Sequence, residues 1–368
     1  MRLECEKRYR HHLRLVMEWI ESSVKVEGGS AAHLSMSGLW SRSYPETSGY
    51  IINTLLDYGA LTSEPRWGEV ACRLGDWLLD IQMESGAFSA GLHPGKEYSP
   101  SIFNTGQIII GLAGLYESSK EEKYLQSLGR AARWLATAED GTGLWQVGNY
   151  RGGFNPTYYT RVTWPMLKAW RLTGDDSIKE SAVRVLEQMK RRRREDGSFS
   201  DWGFSEGAGA YTHTIAYTLR GFIESGRLLE EEDQYLDLVA PAIERLYRKA
   251  ELRHGRLQGF FEEKWKGSNT FVCLTGNAQM ALVFLHYESS RSDLRLVNAA
   301  SKLIDFVCDR QIVSPLPSPR FTGAVAGSSP IWGPYMRFRY PNWAAKFFAD
   351  SIMLLLFRLN AELESYQQ

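Results

Sequence analysis

The sequence contains few of the residues that mark metal sites or disulfide frameworks. Its 368 residues include only four cysteines, none in a CxxC spacing, and the seven histidines lack the spacing typical of metal ligands. The cysteines are Cys5, Cys72, Cys273 and Cys308. Because each lies in an apolar helical context, we expect free, buried thiols. We expect neither a metal nor a cofactor.

Net charge and long apolar runs are also missing. The 43 basic residues balance 43 acidic ones, so the formal net charge is zero and no global field attracts nucleic acid or an anionic membrane. The N-terminus lacks the apolar core of a secretory signal, and no run of about 18 apolar residues follows. We therefore expect a cytoplasmic protein with no membrane span and no nucleic-acid partner. The oligomeric state is left open.

The sequence does have a high aromatic content, 12%, and internal repeats. Short apolar stretches that open with a helix-capping Thr or Asn recur roughly 52 to 67 residues apart. They begin near Thr47, Thr105, Thr160, Thr212, Thr275 and Asn342. Amphipathic charged helices alternate with them, at about 6–23, 66–84, 121–138, 176–194, 231–251 and 291–310.

Such helix pairs cannot bury their own apolar faces and must stack on one another. Six pairs that close into a ring predict an all-α fold, a single (α/α)6 toroid domain over residues 1–368, with the short helices inside. Turn-forming loops such as Asp196-Gly-Ser-Phe lead into the inner helices. These β-turn loops and the inner-helix N-termini therefore gather at one rim, which we call the mouth, where the helix dipoles favour an anionic ligand.

Several motifs resemble known families. The loop from Asp196 to Trp202 resembles the repeat of the squalene-cyclase and protein-prenyltransferase superfamily. Five further motifs resemble an uncharacterised prokaryotic family that is often found with polysaccharide genes, some of whose members are labelled delta-aminolevulinic acid dehydratase-like. They are residues 44–52 (YPETSGYII), 103–107 (FNTGQ), 213–217 (HTIAY), 273–279 (CLTGNAQ) and 341–350 (PNWAAKFFAD).

The resemblance implies a toroid and a polysaccharide context, but no particular reaction. The dehydratase itself is a TIM barrel, and this chain lacks the alternating strand and helix pattern of that fold. The Asp-x-Asp-Asp acid of polyene cyclases is absent, and so are the zinc ligands of prenyltransferases. A terpenoid cyclase-like protein is therefore the weakest of the alternatives.

Polar and charged residues cluster in the first turns of the predicted inner helices. On the helix that begins at Thr212, His213, Tyr217 and Arg220 lie at i, i+4 and i+7, on one stripe. The set expected at the mouth comprises Tyr44, Glu46, Asn104, Gln107, Arg161, Trp164, His213, Tyr217, Arg220, Asn277, Gln279, Asn342, Lys346 and Asp350. Its cations either pair with carboxylates such as Glu46, Glu206 and Asp350 or await a ligand.

This set fits β-elimination or C5 epimerisation of an acidic, uronic-acid polysaccharide. Asn and Arg would neutralise the sugar carboxylate, so that the C5 proton becomes acidic. On this hypothesis His213 is the base and Tyr217 the acid, while Asn104, Asn277 and Arg220 form the clamp.

Two alternatives belong to other classes. A glycoside hydrolase would use two carboxylates, chosen from Glu46, Asp201, Glu206, Glu262, Glu263 and Asp350. A non-catalytic glycan-binding or assembly protein would use aromatic stacking. The aromatic candidates are Trp40, Trp145, Tyr150, Tyr158, Tyr159, Trp202, Trp265, Trp332 and Tyr335, of which Trp202 is included among the substrate-binding residues. The long loop 315–336 is interpreted as a possible lid over the mouth.

Overall fold

Twelve α-helices make up most of the part of the chain that the structure describes. The computed structural model describes the backbone of residues 2–96, 98–315 and 318–367, and the side chains of residues 4–96, 98–315 and 318–360. In chain order the helices are α1 (Arg2–Ser22), α2 (Pro45–Thr62), α3 (Arg66–Ile81), α4 (Ile102–Ser119), α5 (Glu122–Ala138), α6 (Thr160–Thr173), α7 (Asp176–Lys190), α8 (Thr212–Leu229), α9 (Glu232–Leu252), α10 (Leu274–Arg291), α11 (Leu294–Cys308) and α12 (Asn342–Gln367).

The even-numbered helices form a closed inner ring. Helix α2 packs on α4, and the contacts continue through α6, α8 and α10 to α12, which packs back on α2. The odd-numbered helices pack outside this ring: α3, α5, α7, α9 and α11 each pack against the inner helix that precedes them in sequence, whereas α1 packs against α12. The predicted (α/α)6 toroid is confirmed, and each inner helix begins at or just before the residue expected from the repeats.

The two layers differ in how their surfaces are buried. In the outer helix α3, Leu74 and Leu78 are buried whereas Arg73 and Asp76 face solvent. In the inner helix α10, every residue from Leu274 to Leu285 is buried, because both neighbouring inner helices and the outer layer cover it. Each fully buried Leu or Ile side chain contributes about 1.5–3 kcal/mol to folding, so the buried inner ring contributes a large part of the stability.

Glycine lets adjacent inner helices approach closely. A Cβ atom added to Gly111 of α4 would lie 2.0 Å from the carbonyl oxygen of Gly49 in α2. In turn, a Cβ atom at Gly49 would lie 2.6 Å from the Cα atom of Ile108. This contact explains why glycine, a poor helix former, occurs inside helices of the inner ring.

Three short antiparallel strand pairs lie at the mouth. They are β1 (His33–Ser35) with β6 (Arg339–Pro341), β2 (Ala210–Tyr211) with β3 (Phe260–Phe261), and β4 (Val272–Cys273) with β5 (Ser328–Ser329). Strands β2, β4 and β6 run directly into α8, α10 and α12. They fix the entry of three inner helices at the same rim.

Part of the loop 315–336 packs against the outer layer. Leu316 and Pro317 lie outside the described residues. Further on, the carbonyl of Arg320 accepts a hydrogen bond from the indole of Trp19 in α1 at 3.1 Å, and residues 319–326 pack against the outer layer. The lid interpretation is therefore wrong for residues 319–326.

The cysteines differ in burial. The four cysteines are free as expected, and Cys273 and Cys308 are buried, but Cys5 is exposed and Cys72 is half-buried. The prediction of buried thiols was wrong for Cys5, which lies near the start of α1 on its solvent side. None of the described helices is long and apolar enough to cross a membrane.

Replacing Gly111 by alanine tests the close packing of the ring. We expect Gly111→Ala to lower the free energy of unfolding by about 1–3 kcal/mol, because the new methyl group meets the Gly49 carbonyl. Gly68→Ala in α3 is the matched control, since no atom lies within 4 Å of its added Cβ, and it should stabilise by up to about 1 kcal/mol. Urea unfolding measures both, and equal effects of the two changes would contradict the packing account.

Candidate functional site at the centre of the ring

A buried carboxylic acid lies at the mouth of the ring. Pro45 begins α2, a position that suits its fixed backbone angle, and places Glu46 in the first turn of the helix. The Glu46 side chain is 8% exposed. Burial raises its pKa to about 7, although a hydrogen bond from the Tyr44 hydroxyl and the charge of Arg161 both act to lower it. Glu46 can therefore exchange a proton near neutral pH.

Phenol groups surround Glu46. Burial raises the pKa of five nearby tyrosines, and the charge of Glu46 raises each of them further. They are Tyr44, Tyr50, Tyr158, Tyr217 and Tyr335. These hydroxyls keep their protons at neutral pH, so they can donate hydrogen bonds to a ligand bound at the mouth.

The charge of Arg161 acts on this acid. Arg161 is the second residue of α6 and is 4% exposed. Its Nε donates to Gln107 Oε1 at 3.0 Å, and the Gln107 amide donates back to the Arg161 carbonyl at 3.0 Å. The guanidinium lies 4.5 Å from the ring centroid of Trp164 and 5.5 Å from that of Tyr217.

The charge of Arg161 is only partly compensated within the part of the chain that the structure describes, by the more distant charges of Glu224 and Asp350. Burial lowers its pKa to about 10, helped by the nearby charge of Arg220, so the guanidinium remains charged at pH 7. No ion pair to Arg161 occurs among the described residues, although every other deep cation on the inner helices has one. An isolated buried charge is costly, and an anionic ligand would remove that cost.

The other cations expected at the mouth lie deeper and are paired. Arg220 donates to Glu224 Oε1 at 2.5 Å, and it lies seven residues beyond His213, about 10 Å further along α8. Lys346 pairs with Asp350, whose second oxygen accepts from Thr54 at 2.7 Å. For these two cations the structure favours pairing over ligand binding, and they fill the ring behind Arg161.

His213 and Tyr217 do lie together at the mouth. Their ring centroids are 5.9 Å apart, and the His213 ring lies 4.3 Å from that of Tyr335. Burial lowers the pKa of His213 to about 3. The imidazole is therefore neutral and weakly basic at pH 7, which favours Glu46 over His213 as the group that accepts a proton.

The three predicted asparagines serve the scaffold. Asn104 donates to the Ser89 carbonyl at 2.8 Å, Asn277 to the Gly255 carbonyl at 2.6 Å, and Asn342 to Ser30 Oγ at 2.8 Å. Each amide satisfies a buried acceptor in the loop or segment beside its helix. These side chains therefore hydrogen-bond to loops rather than facing a ligand, and the candidate site does not include them.

Trp202 likewise lies outside the mouth. Its ring is 6% exposed and packs between Phe199 and Trp265, with centroids 5.9 and 5.3 Å away. Its large apolar area makes it part of the loop core between α7 and α8. It too is left out of the candidate site.

The carboxylates considered for hydrolysis do not converge. Glu262 and Glu263 pair with Lys266 and Arg194 on the surface, and the Asp201 carboxylate accepts from the backbone of Gly207. Glu206 is exposed, and Asp350 is paired with Lys346 deeper in the ring. Of the six candidates, Glu46 alone lies at the mouth.

Sequence reasoning overlooked part of the aromatic lining. Phe103 lies 5.4 Å from Tyr217, Phe204 lies 5.5 Å from His213, and Phe347 lies 6.0 Å from Tyr217, measured between ring centroids. Phe347 is one helical turn beyond Trp343, so helical spacing could have identified it. Gln279, which was predicted, lies close enough to Tyr217 for its side chain to act on the phenol and lower its pKa.

Comparison with known proteins identifies the fold. No protein-family model matches the chain, and no curated protein sequence matches it significantly. The structure is similar to an unsaturated glucuronyl hydrolase specific for heparin, with a TM-score of 0.76 at 12% identity over 98% of each chain. It is also similar to cellobiose 2-epimerase from Bacillus thermoamylovorans, with a TM-score of 0.77 at 10% identity over 96% of this chain and 99% of the other.

A third solved structure is similar with a slightly lower TM-score. The unsaturated glucuronyl hydrolase of a Bacillus species, described as responsible for the degradation of glycosaminoglycan, has a TM-score of 0.71 at 15% identity and covers 94% of this chain and 96% of its own. At these identities the likeness establishes the α/α toroid fold.

The raised pKa of Glu46 predicts a pH-dependent stability. Since the folded-state pKa of about 7 exceeds the ordinary value of 4.5, the folded state binds the proton more tightly, and stability is lost as pH rises from about 4.5 through 7. We expect Glu46→Gln to remove this loss, so that the variant gains roughly 2–3 kcal/mol over the wild type between pH 5 and pH 8. Urea unfolding at the two pH values provides the comparison.

The matched control is Glu180→Gln on the exposed face of α7. It should shift the free energy of unfolding equally at both pH values. A Glu46→Gln effect that does not grow with pH would show that Glu46 is ionised in the folded protein throughout this range.

Proposed function

We propose that this protein is a carbohydrate-active enzyme that acts on an acidic, uronic-acid-containing oligo- or polysaccharide bound at the mouth of the ring. The observation that carries the proposal is the charged, buried guanidinium of Arg161, which forms no ion pair with a described carboxylate and whose charge acts on a protonatable carboxyl group, Glu46. The sugar-active neighbours in the same fold, named as glucuronyl hydrolases and as sugar epimerases, support it. So does the resemblance to a family found with polysaccharide genes.

Arg161 is the proposed site for the sugar carboxylate. Gln107 holds its Nε, which leaves the terminal nitrogens to form a bidentate pair with the carboxylate. The rings of Trp164 and Tyr217 flank the guanidinium and limit its access to water. A carboxylate in this position would neutralise the uncompensated charge, and neutral sugars would gain nothing from it.

The reaction that best fits this arrangement transfers a proton at a sugar carbon. Hydrolysis by the common two-carboxylate mechanism needs a second acid within about 5–10 Å, and of the candidate carboxylates Glu46 alone lies at the mouth. With the sugar carboxylate neutralised by Arg161, the C5 proton becomes acidic and Glu46 accepts it. In elimination the C4–O bond then breaks, and the departing oxygen takes a proton from Tyr217. In epimerisation Tyr217 returns a proton to C5 from the opposite face.

This scheme transfers the role of base from His213 to Glu46. The pKa of about 7 places Glu46 close to the optimum for proton transfer at neutral pH, whereas His213, with a pKa of about 3, is a far weaker base. Because the base form of Glu46 is the ionised one, lyase or epimerase activity should rise as pH increases through 7.

A second candidate is hydrolysis of an unsaturated uronyl residue. It is favoured by the ability of Glu46 to hold a proton at pH 7, because an acid in that position can protonate a carbon–carbon double bond in the sugar. Since this role requires the protonated form, the activity should fall as pH increases through 7. The direction of the pH profile therefore separates the two reactions.

The test is an assay with saturated uronic-acid polymers and with their unsaturated oligosaccharides, read by ultraviolet absorbance. Elimination raises the absorbance and hydrolysis of the unsaturated unit lowers it, while epimerisation is read by proton NMR in deuterated water. We expect Glu46→Gln to reduce kcat about 100- to 10,000-fold and Arg161→Gln to raise KM roughly 10- to 100-fold. Arg151→Gln, in an exposed loop, is the charge-matched control.

Three results would contradict the proposal. One is full activity in Glu46→Gln, and another is an equal preference for neutral sugars. Binding of acidic glycans without turnover of any substrate would instead identify a glycan-binding or assembly protein.

A further inference from the structure

A cysteine thiol contacts His213 inside the site. Cys273 is the last residue before α10, and its Sγ lies 3.7 Å from Nδ1 of His213, near the start of α8. Both side chains are buried, with 0% and 2% exposure. The two helix starts can meet because residue 276 is a glycine. A Cβ atom there would lie 2.7 Å from Cβ of Thr212, so a larger residue would separate the two helices.

The sulfur atom already accepts hydrogen bonds from the backbone. Gly276 N lies 3.3 Å from Sγ, and the backbone N–H groups of His213 and Thr275 also interact with it. Burial raises the pKa of this thiol to about 12, so it keeps its hydrogen at neutral pH. Among the residues that the structure describes, Nδ1 of His213 is the acceptor found for that hydrogen.

We propose that Cys273 is a positioning residue whose S–H group donates to Nδ1 and so fixes His213 as the neutral tautomer with its proton on Nε2. The tautomer of an imidazole is set by the hydrogen bond that its other nitrogen makes. Nε2 forms no hydrogen bond to another described residue, and the ring lies among Tyr335, Phe204 and Tyr217 at the mouth. His213 therefore presents a fixed N–H donor there.

This role differs from that of a helix cap. As the N-cap of α10, Cys273 uses a sulfur lone pair to accept from Gly276, which requires no hydrogen on the sulfur. Tautomer control uses the S–H hydrogen. Serine preserves both functions and alanine removes both, while the protonation pattern of His213 reports only on the second.

The consequence for substrate rests on the proposed function. A neutral Nε2–H group can donate to a hydroxyl or glycosidic oxygen of a bound sugar, and it cannot accept a proton from carbon. The assignment of the tautomer itself does not depend on any substrate, so the two can fail separately.

The tautomer is measured by two-bond proton–nitrogen correlation NMR on the full-length protein labelled with ¹⁵N-histidine. The chain has seven histidines, and His213→Gln identifies the signals of His213 by their loss. We expect the wild type and Cys273→Ser to show a single Nε2–H tautomer at pH 7. In Cys273→Ala we expect a mixture of the two tautomers. Cys308→Ala, which removes a buried thiol in α11, should leave the His213 signals unchanged.

Two spectra would overturn the proposal. A wild-type His213 protonated on Nδ1 would mean that the imidazole donates to the sulfur, and this outcome is decisive even if Cys273→Ala does not fold. A Cys273→Ala spectrum identical to that of the wild type would mean that the thiol has no influence.

The donor role is tested by affinity for a uronic-acid oligosaccharide. We expect Cys273→Ala to weaken binding about 3- to 10-fold, as for loss of one hydrogen bond, and Cys273→Ser to retain the wild-type affinity. Equal affinity in all three proteins, together with a changed tautomer in Cys273→Ala, would overturn the donor role. That result would not bear on the proposed enzyme function, which is tested separately by the Glu46 and Arg161 variants.

Discussion

The uncompensated charge of Arg161 is the constraint on which the candidate site depends. Taking a guanidinium out of water without a direct carboxylate partner costs several kcal/mol. The structure offsets this only in part, through Gln107, the faces of aromatic rings and the more distant charges of Glu224 and Asp350. Elsewhere on the inner helices the cations are paired, as Arg220 is with Glu224 and Lys346 with Asp350. Retaining one unpaired charge lowers stability, and binding of an anion would recover it.

The toroid makes this arrangement possible by placing all the inner-helix N-termini at one rim. The helix dipoles add positive potential there, which further disfavours a resident cation and favours an anionic ligand. Glu46 is protonatable near neutral pH for a related reason, since burial opposes its ionisation more strongly than Arg161 and Tyr44 promote it. The same burial makes His213 a poor base. Burial therefore determines which titratable group at the mouth can exchange a proton near neutral pH, namely Glu46 rather than His213.

The fold could be predicted from the sequence because its signals are local and repeated. Turn-forming loops and alternating surface patterns locate the helices, and the number of repeats fixes the ring. The repeated Thr residues mark the helix starts without capping them, since the N-caps of α2, α6 and α8 are tyrosines that make no side-chain cap hydrogen bond. The site was harder to predict than the fold, because the first turn of an inner helix has one side that faces the centre of the ring and another that faces the loops. Asn104 and Gln107 both lie in the first turns of α4, yet Asn104 bonds to a loop carbonyl and Gln107 to Arg161. Helical spacing alone does not separate the two residues, because positions i and i+3 lie on the same side of a helix. The burial that sets the pKa of His213 likewise depends on loops distant in sequence.

The most direct test of the central role of Arg161 is a crystal structure of the protein with a glucuronate-containing disaccharide. The account predicts that the carboxylate contacts the terminal nitrogens of Arg161, with the sugar ring beside Glu46 and Tyr217. A carboxylate bound elsewhere, for example at the exposed arginines of the outer rim, with Arg161 still unpaired, would contradict it.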